Sequence, residues 1–482
     1  MIKRPSFLSS GFISSIVVLT VFLTGVIAAV PAFSQKRSKA QSQTLAAPTG
    51  RIPEIIQDSL PNGLHILFTR LNDLPLAEIS VIVDAGIGME SEDEYGAAYG
   101  VAQLLLSGSK ERTGDMVSTY ASQLGSVLIP YVHYDYSQLY GKTLTKNFSA
   151  TLGLIADAVI APEFPTQALL RLQQQSSVRL FRQISSGEHA TITTVQHLCG
   201  SGHAMSRFIQ PTTEEVNALS VERLRAFHTA WYQPKRTTVI VTGNLDYKFV
   251  RTSLIEAFGK WENGEEVQRP VISPGTITPA VVVIADSLTP NGLAYFRVGG
   301  RGVLRNEKDF APQMLLNNIL SNGAQSRLSQ MMWGKHVISP NFSTAVAFSK
   351  DCSYFMISGS ASPNSSDSVL LFLQEVIVDI ARNGVTETEL AASKATLLAD
   401  ESLIFATNRN LQSLLKEATV YGLSIEQSFS FSTSIRQVSV KDIQRIAQEV
   451  LLPEHLQTVV LGSEEKIVPL MKAMGKNVRI TE

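Results

Sequence analysis

"LSVERLRAFHTAWYQPKRTTVIVTGNLD" (219–246) and "VSVKDIQRIAQEVLLPEHLQTVVLGSEE" (438–465) follow one plan. Each opens on Ser-Val, at Ser220 and Ser439. Each sets a proline at the end of a helical pattern, Pro234 and Pro453, then runs through a β-branched strand to Gly243 or Gly462. All three pairs share an offset of 219 residues. Leu224, Phe227, His228 and Trp231 form one helical face; Ile443, Ile446, Ala447 and Val450 form its counterpart. Each serine is placed to cap the free N–H groups of its helix.

The front ends match too. "AEISVIVDAGIGM" (77–89) and "LAYFRVGGRGV" (293–303) are strands opening into Gly-rich turns, and the helix after each ends in Leu-Ser-Gly (106–108) or Leu-Ser-Asn-Gly (320–323). The chain therefore reads as a duplication, with units at 52–262 and 281–473, a Gly/Pro/charge-rich linker at 263–280 and a tail at 474–482. Strands are predicted at "LHILFTR", "AEISVIVDA", "TTVIVTG", "AVVVIAD" and "CSYFMISGSAS", and helical runs at 147–160, 166–185 and 386–421. Because the helices are grouped, the predicted class is α+β: in each unit an antiparallel sheet with helices on one face.

Apolar residues make up 44% of the 482 and charged residues 17%, which fits a globular chain with large cores. A formal net charge of −1 gives no footing for nucleic acid. Lys3 and Arg4 precede an apolar run from Phe7 to Phe33, and Ala32-Phe33-Ser34 has the form of a signal-peptidase site. Residues 1–34 thus read as a signal peptide or an uncleaved membrane anchor, and 35–51 as a flexible tether. Either way the rest of the chain is expected outside the cytoplasm, in the periplasm, cell envelope or medium, with membrane contact only through that segment. Cys199 and Cys352 are expected to be small buried apolar residues and not a disulfide framework.

Together these patches resemble the pitrilysin/insulinase-type (M16) metallopeptidases, in their two-domain processing-peptidase branch. "DAGIGMESEDEYGAAYG" looks like the approach to that family's active-site helix. "STYASQLGSVL" (118–128), "IAPEFPTQALLRLQQQ" (160–175) and "LNNILSNGAQSRLSQMM" (316–332) are similar to later family segments. Active members carry His-x-x-Glu-His on the first helix. Histidines at i and i+4 share a face and bind one zinc, and the glutamate activates its water. Aligned without gaps, the first histidine falls on Tyr99, the glutamate on Ala102 and the second histidine on Gln103. The family's further glutamate ligand is expected near 178–183, and no Asp or Glu occurs between Glu163 and Glu188. Tyrosine is a rare zinc ligand, glutamine a poor one, and alanine takes no proton. The expectation is a chain without catalytic residues, zinc or other cofactor.

Other constellations are weaker. His189, His197 and His203 have no one-face or finger spacing. Gly200-Ser201-Gly202-His203 is not a nucleophile elbow. "HYDY" (133–136) reads as cross-strand aromatic packing. In silent subunits of the resembled family, an arginine of the Ser-Arg-Leu patch and a tyrosine about 13 residues later hold the peptide. Here that implies Arg327, with Ser326 beside it, while the tyrosine position is Pro340. The resemblance implies an exported, inactive subunit that binds an extended peptide, or pairs with itself or with a zinc-bearing M16 homologue. The alternatives are a free-standing envelope scaffold and an active zinc endopeptidase with a relocated site.

Overall fold

The computed structural model describes residues 53–71, 74–184, 187–270, 281–285, 293–334, 342–362, 365–404, 407–473 and 476–481. The expected signal or anchor segment, the tether, most of the linker and Pro340 lie outside them. Among the described residues no helix is long and apolar enough to cross a membrane. Residues 48–482 cluster as one compact unit, built on two six-stranded sheets.

The first sheet contains β1 (Ile56–Ser59), β2 (His65–Arg70), β3 (Leu76–Val83), β4 (Val127–Val132), β5 (Ser137–Leu144) and β6 (Thr237–Gly243). The second contains β7 (Val281–Ala285), β8 (Ala294–Arg301), β9 (Ser343–Phe348), β10 (Ser353–Ala361), β11 (Leu456–Gly462) and β12 (Val478–Thr481). Their orders are β1-β2-β6-β3-β5-β4 and β12-β7-β11-β8-β10-β9. The repeat seen in the sequence is thus a repeat of topology. Ser220 and Ser439 accept the N–H groups of Arg223 and Asp442 at the starts of equivalent helices. Gly243 and Gly462 end equivalent central strands.

The α+β class of two like halves holds, and two details of it differ from expectation. The sheets are mixed, because β2 runs parallel to β6, and β7 runs parallel to β11 and β12. The helices do not keep to one face, because each half sends one helix across the open face of the other half's sheet. Helix Glu188–Cys199 packs Ala190 against Val282, Ile284, Val459 and Leu461, and Val195 and Leu198 near Met356. Gly299 permits this approach, since a Cβ there would lie 3.0 Å from Thr194 Cγ2. Helix Asn408–Tyr421 packs Leu411, Leu414 and Leu415 against Leu67, Ile82 and Ile240. This second covering explains why every residue of β6, "TTVIVTG", is buried. A strand covered on both faces loses the apolar/polar alternation of a half-exposed one.

Polar contacts fix the crossing. Gln412 donates to the carbonyls of Glu78 (2.8 Å) and Ile240 (3.3 Å) and accepts from the Ser80 hydroxyl. The β9–β10 turn, Ser349–Cys352, plugs into the first half. Lys350 Nζ lies 2.6 Å from Asp84 Oδ1, and Asp351 Oδ1 lies 2.8 Å from His203 Nε2. Arg269 bridges buried Asp135 (2.9 Å) and Asp351 (3.5 Å). Burial pushes the Asp351 carboxyl up, but its His203 hydrogen bond and the Arg269 charge outweigh this and hold it well below the usual carboxylate range.

The cysteine expectation is corrected here. Cys199, at the end of one crossing helix, and Cys352, in the plugging turn, form a disulfide between the two halves. A pairing across 153 residues leaves no spacing signature, so only the fold reveals it.

Candidate functional site

The stretch from β3 to residue 104 builds the site. After β3 the chain makes two short 3₁₀ turns and enters helix Ala97–Leu104 through Gly96, whose φ of 90° lies in the left-handed region. A buried carboxylate takes over the helix start: Glu90 Oε1 accepts the Ala98 N–H at 2.8 Å. Arg207 NH1 donates to Glu90 Oε2 (2.9 Å), NH2 donates to the Ile87 carbonyl (2.7 Å), and the guanidinium lies 3.7 Å over the Tyr95 ring. Burial pushes the Glu90 carboxyl up to about 7, with Arg207 pulling the other way. Neither residue was singled out from sequence. The two lie 117 residues apart, and only the tertiary fold carries Arg207 to Glu90.

The helix is enclosed. Ala97, Ala98, Val101 and Ala102 are fully buried and Tyr99 is 7% exposed, all within the core of the first half, while Gln103 is half-buried. Gly100 lets the helix lie against Val221–Trp231, since a Cβ there would sit 2.7 Å from Leu224 Cδ2.

These residues do not fit a catalytic zinc. Ala102 offers no donor atom, Gln103 offers only a neutral amide, and Tyr99 belongs to the apolar cluster. The zone expected to hold the further carboxylate, 178–183, falls within helix Thr166–Ile184, and its sequence has no acid.

Among the described residues, one other group of metal-type side chains converges: Cys199, His203 and Cys352, with ligand atoms within 4.8 Å. The two sulfurs are bonded to each other and are not thiolates. The His203 nitrogens are already engaged, Nε2 with Asp351 and Nδ1 accepting from the Met205 N–H at 3.1 Å. The same engagement leaves His203 no nitrogen for Ser201, which is exposed. His197 Nδ1 is 2.7 Å from the Thr193 carbonyl, inside its own helix. The "HYDY" segment packs as aromatics, with the His133 and Tyr136 rings stacked at 5.1 Å. Its Asp135, fully buried on Arg269, was not anticipated.

In the second half, Arg327 donates Nε and NH2 to Glu389 and NH1 to Asp379 (2.6 Å). Ser326, 3% exposed, donates to Ser329 Oγ (2.9 Å) and accepts the Ser329 N–H. Both side chains are committed to their own half.

Two internally equivalent halves, each a six-stranded mixed sheet with packed helices, are the architecture of the two-domain M16 fold. The chain belongs to the M16 family. The model described as insulinase (peptidase family M16) matches residues 69–189, and that described as peptidase M16 inactive domain matches 218–397. A Streptomyces coelicolor protein named as an uncharacterized zinc protease is 22% identical over 432 residues, covering 87% of this chain and 92% of its own. A probable mitochondrial-processing peptidase subunit beta from Arabidopsis thaliana is 20% identical, covering 88% and 80%. A solved peptidase M16 inactive domain from Pseudomonas fluorescens superposes with a TM-score of 0.79 at 19% identity, covering 85% of this chain and 98% of its own. A Helicobacter pylori protease structure gives 0.75 at 18% identity, covering 85% and 100%. At these identities the structural likeness speaks for the fold.

Proposed function

We propose that this chain is an exported, catalytically silent M16 subunit that acts by binding: it holds an extended peptide and pairs with a zinc-bearing M16 homologue. The observation that carries the proposal is the core position of Tyr99 and Ala102, where a hydrolase would need a histidine and a glutamate open to substrate. The fold that would serve binding is retained. Strand β4 ends its sheet and exposes Val127 (51%), Ile129 (46%) and Tyr131 (44%) along one face. An extended chain can add to such an edge by main-chain hydrogen bonds. The disulfide supports export, since structural disulfides persist in oxidising compartments.

A second reading, an envelope scaffold that no longer handles peptides, is favoured by one observation. Arg327 and Ser326, the residues from which peptide contact is expected, are occupied by Glu389, Asp379 and Ser329. Pro130, which lacks an N–H, also blunts the β4 edge.

The test is co-purification of the chain lacking residues 1–34 with M16 homologues bearing the intact motif, alongside anisotropy titration of labelled extended peptides. A stable pair or saturable peptide binding supports a binding subunit. Neither, with a soluble folded chain, supports the scaffold.

A further inference from the structure

Helix Asn408–Tyr421 covers only the inner strands of the first sheet and leaves a cleft of 220 Å³ between itself and the β4–β5 edge. Its walls include Ile129, Tyr131, Gln138 and Tyr140 on the sheet side and Arg409 and Lys416 on the helix side. The two cations are seven positions apart, about two helical turns, so they share a face. No carboxylate lines the cleft. Among the described residues neither cation has an ion pair: Arg409 lies 6.0 Å over the Tyr140 ring and Lys416 5.2 Å over the Tyr136 ring.

Two acids lie near the cleft without pairing to either cation, and buried Glu78 lies against the Tyr140 hydroxyl of its wall. Glu417 binds Arg305, and Glu78 sits 3.7 Å from Lys142. The floor is a satisfied polar chain, with Gln138 Nε2 donating to Ser80 Oγ at 2.8 Å and Ser80 donating to Gln412. Burial pulls the Lys416 ammonium down, with Glu417 opposing. Lys416 is partly desolvated, exposed Arg409 shares its face, and among the described residues neither has an ion-pair partner in the cleft, so an anion placed there gains from both.

The position of the cleft identifies the anion. Ile129 and Tyr131 line its mouth and also belong to the exposed stripe of the unpaired β4 edge. A strand adding beside β4 turns every second side chain to that same face. We propose that the cleft is an anion subsite that takes a carboxylate, from a glutamate or aspartate side chain or the C-terminus, of a peptide extended along β4. This rests on the peptide-binding reading above and adds its specificity: the chain selects acidic segments.

The experiment uses the chain lacking residues 1–34 and fluorescein-labelled, Val/Thr-rich nonapeptides carrying one glutamate at successive positions, each paired with its glutamine analogue. The expected result is about tenfold tighter binding for glutamate at one register position. That preference should shrink with salt and vanish in Arg409→Gln/Lys416→Met, with the glutamine peptide still bound. Arg409→Lys should keep most of it. Arg409 is exposed, so Arg409→Gln alone, expected to lose part of the preference, serves if the double variant does not fold. Equal binding of both peptides, or a preference unchanged in the variants, overturns the subsite and leaves peptide binding standing. Binding of neither peptide overturns both.

Discussion

Cys199 and Cys352 tie the two halves together at the point where the β9–β10 turn enters the first half, with Cα atoms 6.0 Å apart. Within 4.8 Å of their sulfurs stands His203, which also holds Asp351 of the same turn. Covalent and ionic contacts therefore reinforce one seam. Peptide mass mapping without reductant should recover the Cys199–Cys352 pair. Cys199→Ser/Cys352→Ser should lower stability by about 2–4 kcal/mol, because the closed loop is long. Reductant should lower the melting temperature of the parent and leave that of the double variant unchanged.

His228 Nε2 lies 2.8 Å from the Val159 carbonyl, and its ring stacks on Tyr232 at 4.6 Å. Burial pulls its pKa down to about 4, with the Val159 contact opposing. The unfolded chain thus takes up a proton near pH 6.5 that the folded chain refuses until about pH 4. Stability should be full above pH 6.5 and fall as pH drops from 6.5 towards 4, by up to about 3 kcal/mol from this residue. Denaturant melts across that range should show the slope, and His228→Gln should flatten it.

Arg207 is the counter-charge of a carboxylate that burial already raises to about 7. Arg207→Ala should cost about 3 kcal/mol at pH 8, where buried Glu90 must either stay charged without its partner or take up a proton. At pH 5 the cost should be smaller, because Glu90 then holds a proton in the folded state. The sign follows from a folded pKa above the unfolded one: the contribution is full below the unfolded value and lost as pH rises. Melts of Arg207→Ala and Arg207→Ala/Glu90→Gln at both pH values check this; the glutamine should remove the difference.

Restoring Tyr99→His and Gln103→His places two imidazoles one helical turn apart but supplies no carboxylate between Glu163 and Glu188. Calorimetric titration should show weak zinc binding at most, without chelator-sensitive peptide cleavage. Adding Ala102→Glu should destabilise the chain, because that Cβ is fully buried among apolar side chains.

The duplication, central strands and serine caps were legible because they rest on local pattern and a fixed offset. The mixed sheets were not. Parallel pairing of β2 with β6 joins segments far apart in the chain and alters no local periodicity. The run 386–421 read as one helical stretch but forms Glu387–Ser402 and Asn408–Tyr421, and the second helix leaves its own half. That crossing brings Gln412, Arg409 and Lys416 to the first sheet. At the candidate site, the residue types at 99, 102 and 103 could be read directly from the sequence. The Glu90–Arg207 pair could not, since its partners are 117 residues apart.

Whether this M16 chain holds a catalytic zinc is read from metal analysis of the purified chain lacking residues 1–34. It should be kept oxidised so that Cys199 and Cys352 stay paired, and assayed alone and with a motif-bearing homologue. The expected result is no zinc in the chain alone and, in a complex, one zinc per pair, held by the homologue. One zinc per chain in the protein alone, with peptide cleavage that a chelator abolishes, would contradict it.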